Sequence, residues 1–541
     1  MITLNQVVNS RLPGRFLNFG RSTTWMLDYL HVGNAFDLAD PHDRRLYRIL
    51  EVFPGFLAWS TLAVVVLVSF KAPVFATFFI ILFDIYWLIK TIYLSVLTRS
   101  SFLKMRHNLK VDWTNRLASV PENPKLQGIG AENIFNLIIL PAYKEPYSIV
   151  RDSLNAIFKS NYPKDKMIVV LATEARAGVH SVELARQAEA EFGNAFFKFI
   201  VTTHPDNITG ELAGKGSNEA WAGEQVKREI IDILNIPYDR IIVSVFDIDT
   251  VVPADFFACL SWYYLTAPDP LHSSFQPIPI FTNNIWEAPA FARVFAFSTT
   301  FWQMIQQSRK EQMVTFSSHS VGFQALVDVG FWQKNVVSED SRIYWQCLLR
   351  YDGDWQTVPM YYPVYMDANV GPTFWQTLKN QYKQIRRWHY GAENNPYFMF
   401  GFIKNKKIPS SQKWHQTLIQ VERTHSSPTN ALIIFLLSWL PLWVGGLTFT
   451  TSILSYNLPR ITSAIMNIAL LGLVTSAIMS VILLPEKPPQ YGRFKWLWMA
   501  LQWLLFPINF IFFGAIPALD AQTRLMFGRY MGFWVTPKGR K

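Results

Sequence analysis

The sequence predicts an α/β domain with a mainly parallel sheet, held between membrane-spanning helices. Three observations carry this. Short apolar, β-branched runs alternate with helical or loop segments through residues 115–400. Charge-free stretches long enough to cross a bilayer lie before and after that region. Two aspartates, Asp247 and Asp249, stand where the apolar run Ile241–Phe246 ends. That is the carboxyl end of a strand, where parallel α/β sheets bind their ligands.

Residues 1–50 form a basic segment, with Arg11, Arg15 and Arg21, then Arg44, Arg45 and Arg48. Residues 51–98 are predicted as a transmembrane hairpin. Val52–Phe70 carries no charge, and Pro73–Leu97 contains Asp84 and Lys90. These two are expected to pair or to face other helices, because charges inside a membrane seldom face lipid. Basic residues on both sides of the hairpin place its two ends in the cytoplasm. Leu137–Leu140, Met167–Ala172, Lys198–Thr202 and Ile241–Phe246 are the predicted strands. Tyr143 to Glu145, Thr173-Glu174 and Asp247/Asp249 follow them. Ala290–Gln307 and Phe374–Phe402 are aromatic and amphipathic, and are expected at the membrane surface. Residues 430–519 hold three more apolar stretches, Asn430–Leu454, Ile461–Leu484 and Trp496–Leu519. Pro507 and Gly514 interrupt the last, which is expected to be broken, re-entrant or interfacial. The basic tail, 520–541, then stays on the cytoplasmic side.

Composition agrees with a membrane protein. Half of the 541 residues are hydrophobic and only 16% are charged, where about 25% is usual for a soluble domain. Aromatics reach 15%, with 20 Trp, as suits residues that settle at headgroup level. The formal charge of +11 reads as cytoplasmic flanks. No nucleic-acid-binding motif is present, so nucleic acid is not an expected partner. Cys259 and Cys347 have no Cys or His neighbour at metal spacing, which argues against zinc.

The chemistry rests on four groups. Asp247 and Asp249 offer hard oxygen ligands to Mg2+ or Mn2+, and such an ion neutralises a leaving diphosphate. Asp340, at the start of a helix in Ser338-Glu339-Asp340, is placed to act as a general base. Gln384, Arg387 and Trp388 share one helix face or its end. Arginine matches phosphate oxygens with a planar fork, and tryptophan gives a sugar ring a flat surface. Lys215, in a glycine-flanked loop, is within reach of a phosphate. Each has a plainer reading: a solvated turn, a helix-start carboxylate, an interfacial basic–aromatic helix and a surface lysine.

Together these motifs resemble the membrane-integrated family 2 glycosyltransferases, the group of cellulose, hyaluronan and related synthases. The resemblance covers roughly residues 135–400 with the flanking spans. It runs through Pro141-Ala142-Tyr143-Lys144-Glu145, Lys215-Gly216-Ser217-Asn218, Asp247-Ile248-Asp249, Ser338-Glu339-Asp340 and Gln384-Ile385-Arg386-Arg387-Trp388. It implies a GT-A fold and inverting transfer from a nucleotide sugar, usually UDP-linked, with Asp340 as base. Asp247 and Asp249 would hold the metal. Glu145, Glu174, Lys215, Asp247, Gln384 and Arg387 would contact the donor, and Trp388 the acceptor. Phe533-Trp534-Val535-Thr536-Pro537-Lys538 resembles a gating loop, which would bring Thr536 and Lys538 to the diphosphate. Two positions depart from the family. Glu174 stands nearest to where an aspartate meets the nucleobase, and the acceptor loop reads Phe316-Ser317-Ser318-His319-Ser320, with His319 as a candidate acceptor contact.

The expected function is sugar transfer to a growing glycan, with processive synthesis and export. The alternatives are a single transfer to a lipid-linked acceptor and, in another class, a transport or glycan-binding membrane protein with an inactive transferase domain. Membrane lipids are expected partners, and the plasma (inner) membrane is the expected site, with the catalytic domain cytoplasmic.

Overall fold

The computed structural model of the protein describes residues 28–537. Arg11, Arg15, Arg21 and Lys538 lie outside these residues. Two long helices come first. Pro41–Lys71 (α1) is capped by Asp40, whose side chain accepts from His42 N–H, and starts on a proline that needs no intrahelical donor. Ala72 breaks the run, and Pro73–Asn108 (α2) begins on a second proline.

Seven strands follow: Phe135–Pro141 (β1), Met167–Glu174 (β2), Lys198–His204 (β3), Ile241–Val245 (β4), Ser273–Ile280 (β5), His319–Gly322 (β6) and Gln356–Tyr365 (β7). Their order in the sheet is β3-β2-β1-β4-β6-β5-β7. All pairings are parallel except those of β6, which runs antiparallel to β4 and β5. Both faces of the central strands are buried. Ile138 and Leu140 enter one apolar cluster, while Leu137 and Ile139 enter the other. This is the period-two division expected when helices cover a parallel sheet on both sides.

The four strands predicted from apolar runs are present. Three that were not predicted are β5, β6 and β7. Proline interrupts β5 at Pro277 and Pro279, and β7 at Pro359 and Pro363, and proline within a run argues against a central strand. The chain accommodates it with a register shift between Gln276 and Ile278. β6 has only four residues.

Four helices of the sheet domain frame the site: Lys215–Val226 (α3), Ala290–Gln307 (α4), Glu339–Arg350 (α5) and Phe374–His389 (α6). Beyond them, Ser410–Phe435 (α7) continues through a 45° bend into Leu437–Val444. Ile453–Ile482 (α8) is unbroken. Four helical runs are long and apolar enough to cross a membrane: α1, α2, α8 and Lys495–Met526, with the bent α7 pair as a fifth. α2 packs along α8, and α1 packs on α2 and α7. Ser101 of α2 donates to Met304 O and lies 2.8 Å from Ser308 Oγ, which ties the bundle to the sheet domain. Lys90 does not pair with Asp84: its ammonium meets Glu422 of α7 at 2.5 Å.

Lys495–Met526 is a chain of short pieces, with a 3-10 turn at Gln502–Leu505, a π turn at Ile511–Ala515 and a final helix, Ile516–Met526 (α9). Its polar side chains face the sheet domain. Arg293 of α4 donates to Gln502 Oε1 at 2.6 Å, and Asn509 donates to Phe291 O at 2.8 Å.

Candidate active site

β4 ends at Val245, and the chain turns through Asp247-Ile248-Asp249. The two aspartates then part. The Asp247 side chain keeps 28% of its surface exposed; Lys215 Nζ lies 2.8 Å from its Oδ1, and Ser317 Oγ donates to its Oδ2 at 2.7 Å. Asp249 is enclosed, at 0% exposure, and its Oδ2 accepts from Asp367 N–H at 3.0 Å. Asp247 is therefore the carboxylate that reaches the cleft, with Asp249 behind it.

Ser317 joins this turn to Asp340. Its N–H donates to Asp340 Oδ2 at 2.9 Å while its hydroxyl holds Asp247. Its backbone sits at φ 48°, a left-handed conformation that costs a non-glycine residue about 1 kcal/mol or more. Ser341 N–H donates to Asp340 Oδ1 at 2.8 Å. The start of α5 is set by Glu393, which was not foreseen. Its Oε1 accepts from Val337 N–H, Ser338 N–H and Ser338 Oγ at 3.0, 3.0 and 2.7 Å. No sequence signal marks it, since it lies 53 residues beyond Asp340.

Lys215 opens α3, and two glycines let other elements close on it. A Cβ at Gly214 would lie 2.6 Å from the Phe533 ring, and one at Gly216 would lie 2.9 Å from Glu339. Glu219, one turn on, is fully buried 3.4 Å from Lys215 Nζ, and was also missed. Burial works against the Lys215 ammonium, but Asp247, Glu219, Glu339 and Asp340 outweigh it and hold its pKa well above the ordinary value. Burial pushes Glu219 up to about 8, with Lys215 opposing and Asp247 reinforcing the rise. Burial and then Asp340 raise Glu339 well above the carboxylate range.

On α6, Arg386 and Arg387 separate. Arg386 Nη1 donates to Asp520 Oδ2 of α9 at 2.9 Å, whereas Arg387 lies over the Phe533 ring at 4.6 Å. Gln384 Oε1 is reached by Asn369 Nδ2 at 3.4 Å. Trp388 packs among Phe281, Phe295 and Phe316. The segment 533–536 comes to the site: Phe533 lies against Gly214 and Arg387, and Lys383 lies 5.2 Å over Trp534. Thr536 is buried, and its hydroxyl has no hydrogen-bond partner among the described residues.

Three candidates, His319, Glu174 and Glu145, lie apart from the Lys215–Asp340 cluster's ion pairs. His319 is a strand residue at 0% exposure, between Ser317 O at 3.0 Å from Nδ1 and Trp332 Nε1 at 3.4 Å from Nε2. Burial, then Lys215, lowers its pKa to about 4. It is an enclosed histidine held by its neighbours on both ring nitrogens. Glu174 is clamped by Arg176 in an ion pair at the end of β2, and Arg176 also covers the Tyr143 ring at 4.2 Å. Glu145 accepts from Tyr143 N–H at 2.7 Å at the end of β1. These two acids stand at the neighbouring strand ends rather than in the Lys215–Asp340 cluster.

The oxygen-rich turn suits a hard divalent cation, which commonly takes one or two carboxylates and completes its shell with phosphate and water. Among the described residues, the convergent acidic groups with metal spacing are Asp40-His42-Asp43 and Asp269-His272-Asp354, both away from Asp247.

A cavity of about 700 Å³ opens at Asp340, Arg387 and Trp388 and continues between the long helices. Asp84 and Thr91 of α2, Arg423 and Ile434 of α7, and Met466 and Leu473 of α8 line it. Trp439 lines a second, smaller cavity of about 280 Å³ deeper in the bundle, while Trp443 faces outward, 75% exposed.

The fold and the site together define an α/β enzyme domain with an acid–lysine cluster at its strand ends, joined to a bundle of span-length helices. The family model described as glycosyl transferase family group 2 matches residues 242–517, just over half of the chain, and the chain belongs to that family. It is a glycosyltransferase of the GT-A type of α/β fold. Among solved structures, a mannosyltransferase, PcManGT from Pyrobaculum calidifontis in complex with GDP-Man and Mn2+, aligns with a TM-score of 0.38 and 13% identity. That alignment covers 74% of this chain and 99% of the other. TarS 1-349 of S. aureus in complex with UDP aligns with a TM-score of 0.32 and 11% identity, covering 74% and 94%. No curated protein matches the chain.

Proposed function

We propose that the protein transfers a sugar, with inversion, from a nucleotide sugar to an acceptor lodged in the cavity below Asp340. The observation that carries this reading is the link through Ser317. One residue holds Asp340 and Asp247 together at the mouth of a cavity that also presents Arg387 and Trp388. Asp340 takes the proton from an acceptor hydroxyl as its oxygen attacks the anomeric carbon. The bond to the diphosphate breaks on the opposite face, and the electron pair leaves with the nucleotide. Lys215, Arg387 and Gln384 receive the diphosphate charge. Phe533 lies against Gly214 and Arg387, which puts the segment carrying Thr536 close to the donor side, so closure over the donor needs only a local movement. A divalent ion, Mg2+ or Mn2+, held by Asp247 with Asp249 behind it, would neutralise the leaving diphosphate.

The catalytic domain is proposed to lie in the cytoplasm at the inner (plasma) membrane. α1, α2, the bent α7 pair and α8 cross, and Lys495–Met526 lies along the interface. This arrangement keeps the segment 533–536 on the side of Lys215, where its contacts with Gly214 and Arg387 require it. The continuation of the cavity between the long helices favours a growing glycan passing between them. Its apolar walls favour a lipid-linked acceptor.

The deciding experiment uses purified full-length protein and a panel of UDP- and GDP-sugars, read as released nucleotide and then as product. One donor should be consumed in the presence of Mg2+ or Mn2+, and excess chelator should stop it. Release of no nucleotide from any donor, under conditions where the protein is folded, would favour the inactive-transferase reading.

A further inference from the structure

The cavity carries more positive charge than its own carboxylates use. Four cations line it: Lys90, Arg309, Arg387 and Arg423. Lys90 is paired with Glu422, and Arg387 belongs to the donor side. Arg423 makes no ion pair or hydrogen bond through its guanidinium among the described residues, and lies 4.8 Å over Trp302. Arg309 has a single carboxylate contact there, the half-exposed Glu311 at 3.9 Å, and its buried Nε has no partner. The two guanidinium groups act on each other as like charges. Beside them, the buried Gln420 amide nitrogen also lacks a partner. All three residues line the chamber, and two of their donors, Arg309 Nε and the Gln420 amide nitrogen, are buried with no hydrogen-bond partner among the described residues. Buried donors left so cost free energy unless something fills the site.

The chamber below them changes character. Ile434, Met466, Ala469 and Leu470 line it, and hydroxyl groups on its walls are turned inward on their own helices. Ser95 donates to Thr91 O, Thr98 to Leu94 O and Ser476 to Gly472 O, each at 2.8–3.1 Å. Such walls offer few donors to a sugar and suit a hydrocarbon. Asp340 and Trp388 line the same cavity, so base, aromatic platform, cationic station and apolar walls share one continuous space.

We infer that Arg309, Arg423 and Gln420 bind the phosphate or diphosphate of a lipid-linked sugar acceptor, whose chain lies between α2, α7 and α8. This rests on the proposed sugar transfer and names its acceptor class. The acceptor sugar then stacks on Trp388 with a hydroxyl toward Asp340. The phosphoryl group is spectator rather than nucleophile: its oxygens need no base, and Asp340 serves the sugar hydroxyl. Charge-assisted bonds from two arginines to one phosphate select against a neutral alcohol.

The test measures binding without any donor, so that it stands apart from catalysis. A fluorescent farnesyl diphosphate analogue is titrated onto the full-length protein in phosphatidylcholine nanodiscs, with farnesol, inorganic diphosphate and a uronic-acid oligosaccharide as competitors. Saturable binding is expected, competed by unlabelled farnesyl diphosphate at least ten-fold better than by farnesol or inorganic diphosphate. The R309Q/R423Q double variant should weaken binding roughly ten- to hundred-fold. R309K/R423K keeps the charges and should retain most of it, which separates lost recognition from lost folding. Equal competition by farnesol, or unchanged binding in the glutamine variant, would overturn the inference. Competition by the oligosaccharide alone would do so too, in favour of an anionic glycan. Lipid binding with no donor turnover would leave the inference standing and count against the proposed transfer.

Discussion

The cluster at the strand ends and the long-helix bundle use charge in opposite ways. Around Lys215, five ionisable groups from α3, the β4 turn and α5 act on one another. Each is pinned by a named partner or held in one protonation state by burial. In the bundle, charge is sparse. Lys90 and Glu422 form one pair, while Arg309 has only the half-exposed Glu311 at 3.9 Å among the described residues and both arginines line the chamber. A dense network holds its groups in place, as electrostatic preorganisation of the proposed transfer would require. A sparsely partnered station does the reverse and suits the ligand proposed for it.

The largest effect that separates the two regions is expected at Asp340. Asp340→Asn keeps the shape and removes the proton acceptor. Turnover should fall about 10²–10⁴-fold with little change in donor affinity, as steady-state kinetics with the active donor will show. Near-normal turnover would move the base elsewhere.

Lys215→Met tests whether the cluster is held by its one cation. Asp247 is partly exposed and Glu219 is neutral, so solvent screens part of the loss. A destabilisation of about 1–3 kcal/mol is expected in thermal or denaturant unfolding, together with weakened donor binding. Unchanged unfolding would mean that the acids carry less charge than the geometry implies.

The pH dependence sharpens the same point. Glu219 has a folded pKa of about 8, raised from 4.5 by burial first. Between those values the folded state holds a proton that the unfolded state has lost. The contribution is therefore fully present below about pH 4.5 and is lost as pH rises toward 8. Glu219→Gln should flatten the fall in stability across that window, measured as unfolding midpoints from pH 5 to 8.

A smaller effect is expected at the joint between the regions. Asp520 accepts from Arg386 at 2.9 Å, Arg524 at 2.7 Å and Tyr382 at 3.2 Å, and so pins α9 to α6. Asp520→Asn should cost about 1 kcal/mol or less in unfolding, since the group is partly exposed. It should also loosen the segment 533–536, read as faster proteolysis there. Trp443→Ala, on the outward face of the bundle, should change neither stability nor turnover measurably.

Much of this was legible from local pattern. The runs that became β1–β4 are apolar and β-branched, and burial on both faces demands that composition. The long helices announce themselves because hydrocarbon admits few charges. β5 and β7 escaped because Pro277, Pro279, Pro359 and Pro363 hide a strand whose register shift absorbs them. His319 shows what residue type alone leaves open: its place on β6 encloses it beside Trp332, which the sequence does not reveal.

By itself the sequence determined the four apolar strands β1–β4, the segments apolar enough to cross a membrane, and the short motifs that carry carboxylates, lysine and arginine, because each depends on neighbours within a few residues. Only the tertiary structure decided that Ser317 joins Asp247 to Asp340, that Glu393 sets the start of α5, that Phe533 closes on Gly214 and Arg387, and that Arg309 meets Arg423 over an apolar chamber. Those are contacts between residues dozens to hundreds of positions apart. They follow from how the sheet and helices pack, which no local pattern encodes.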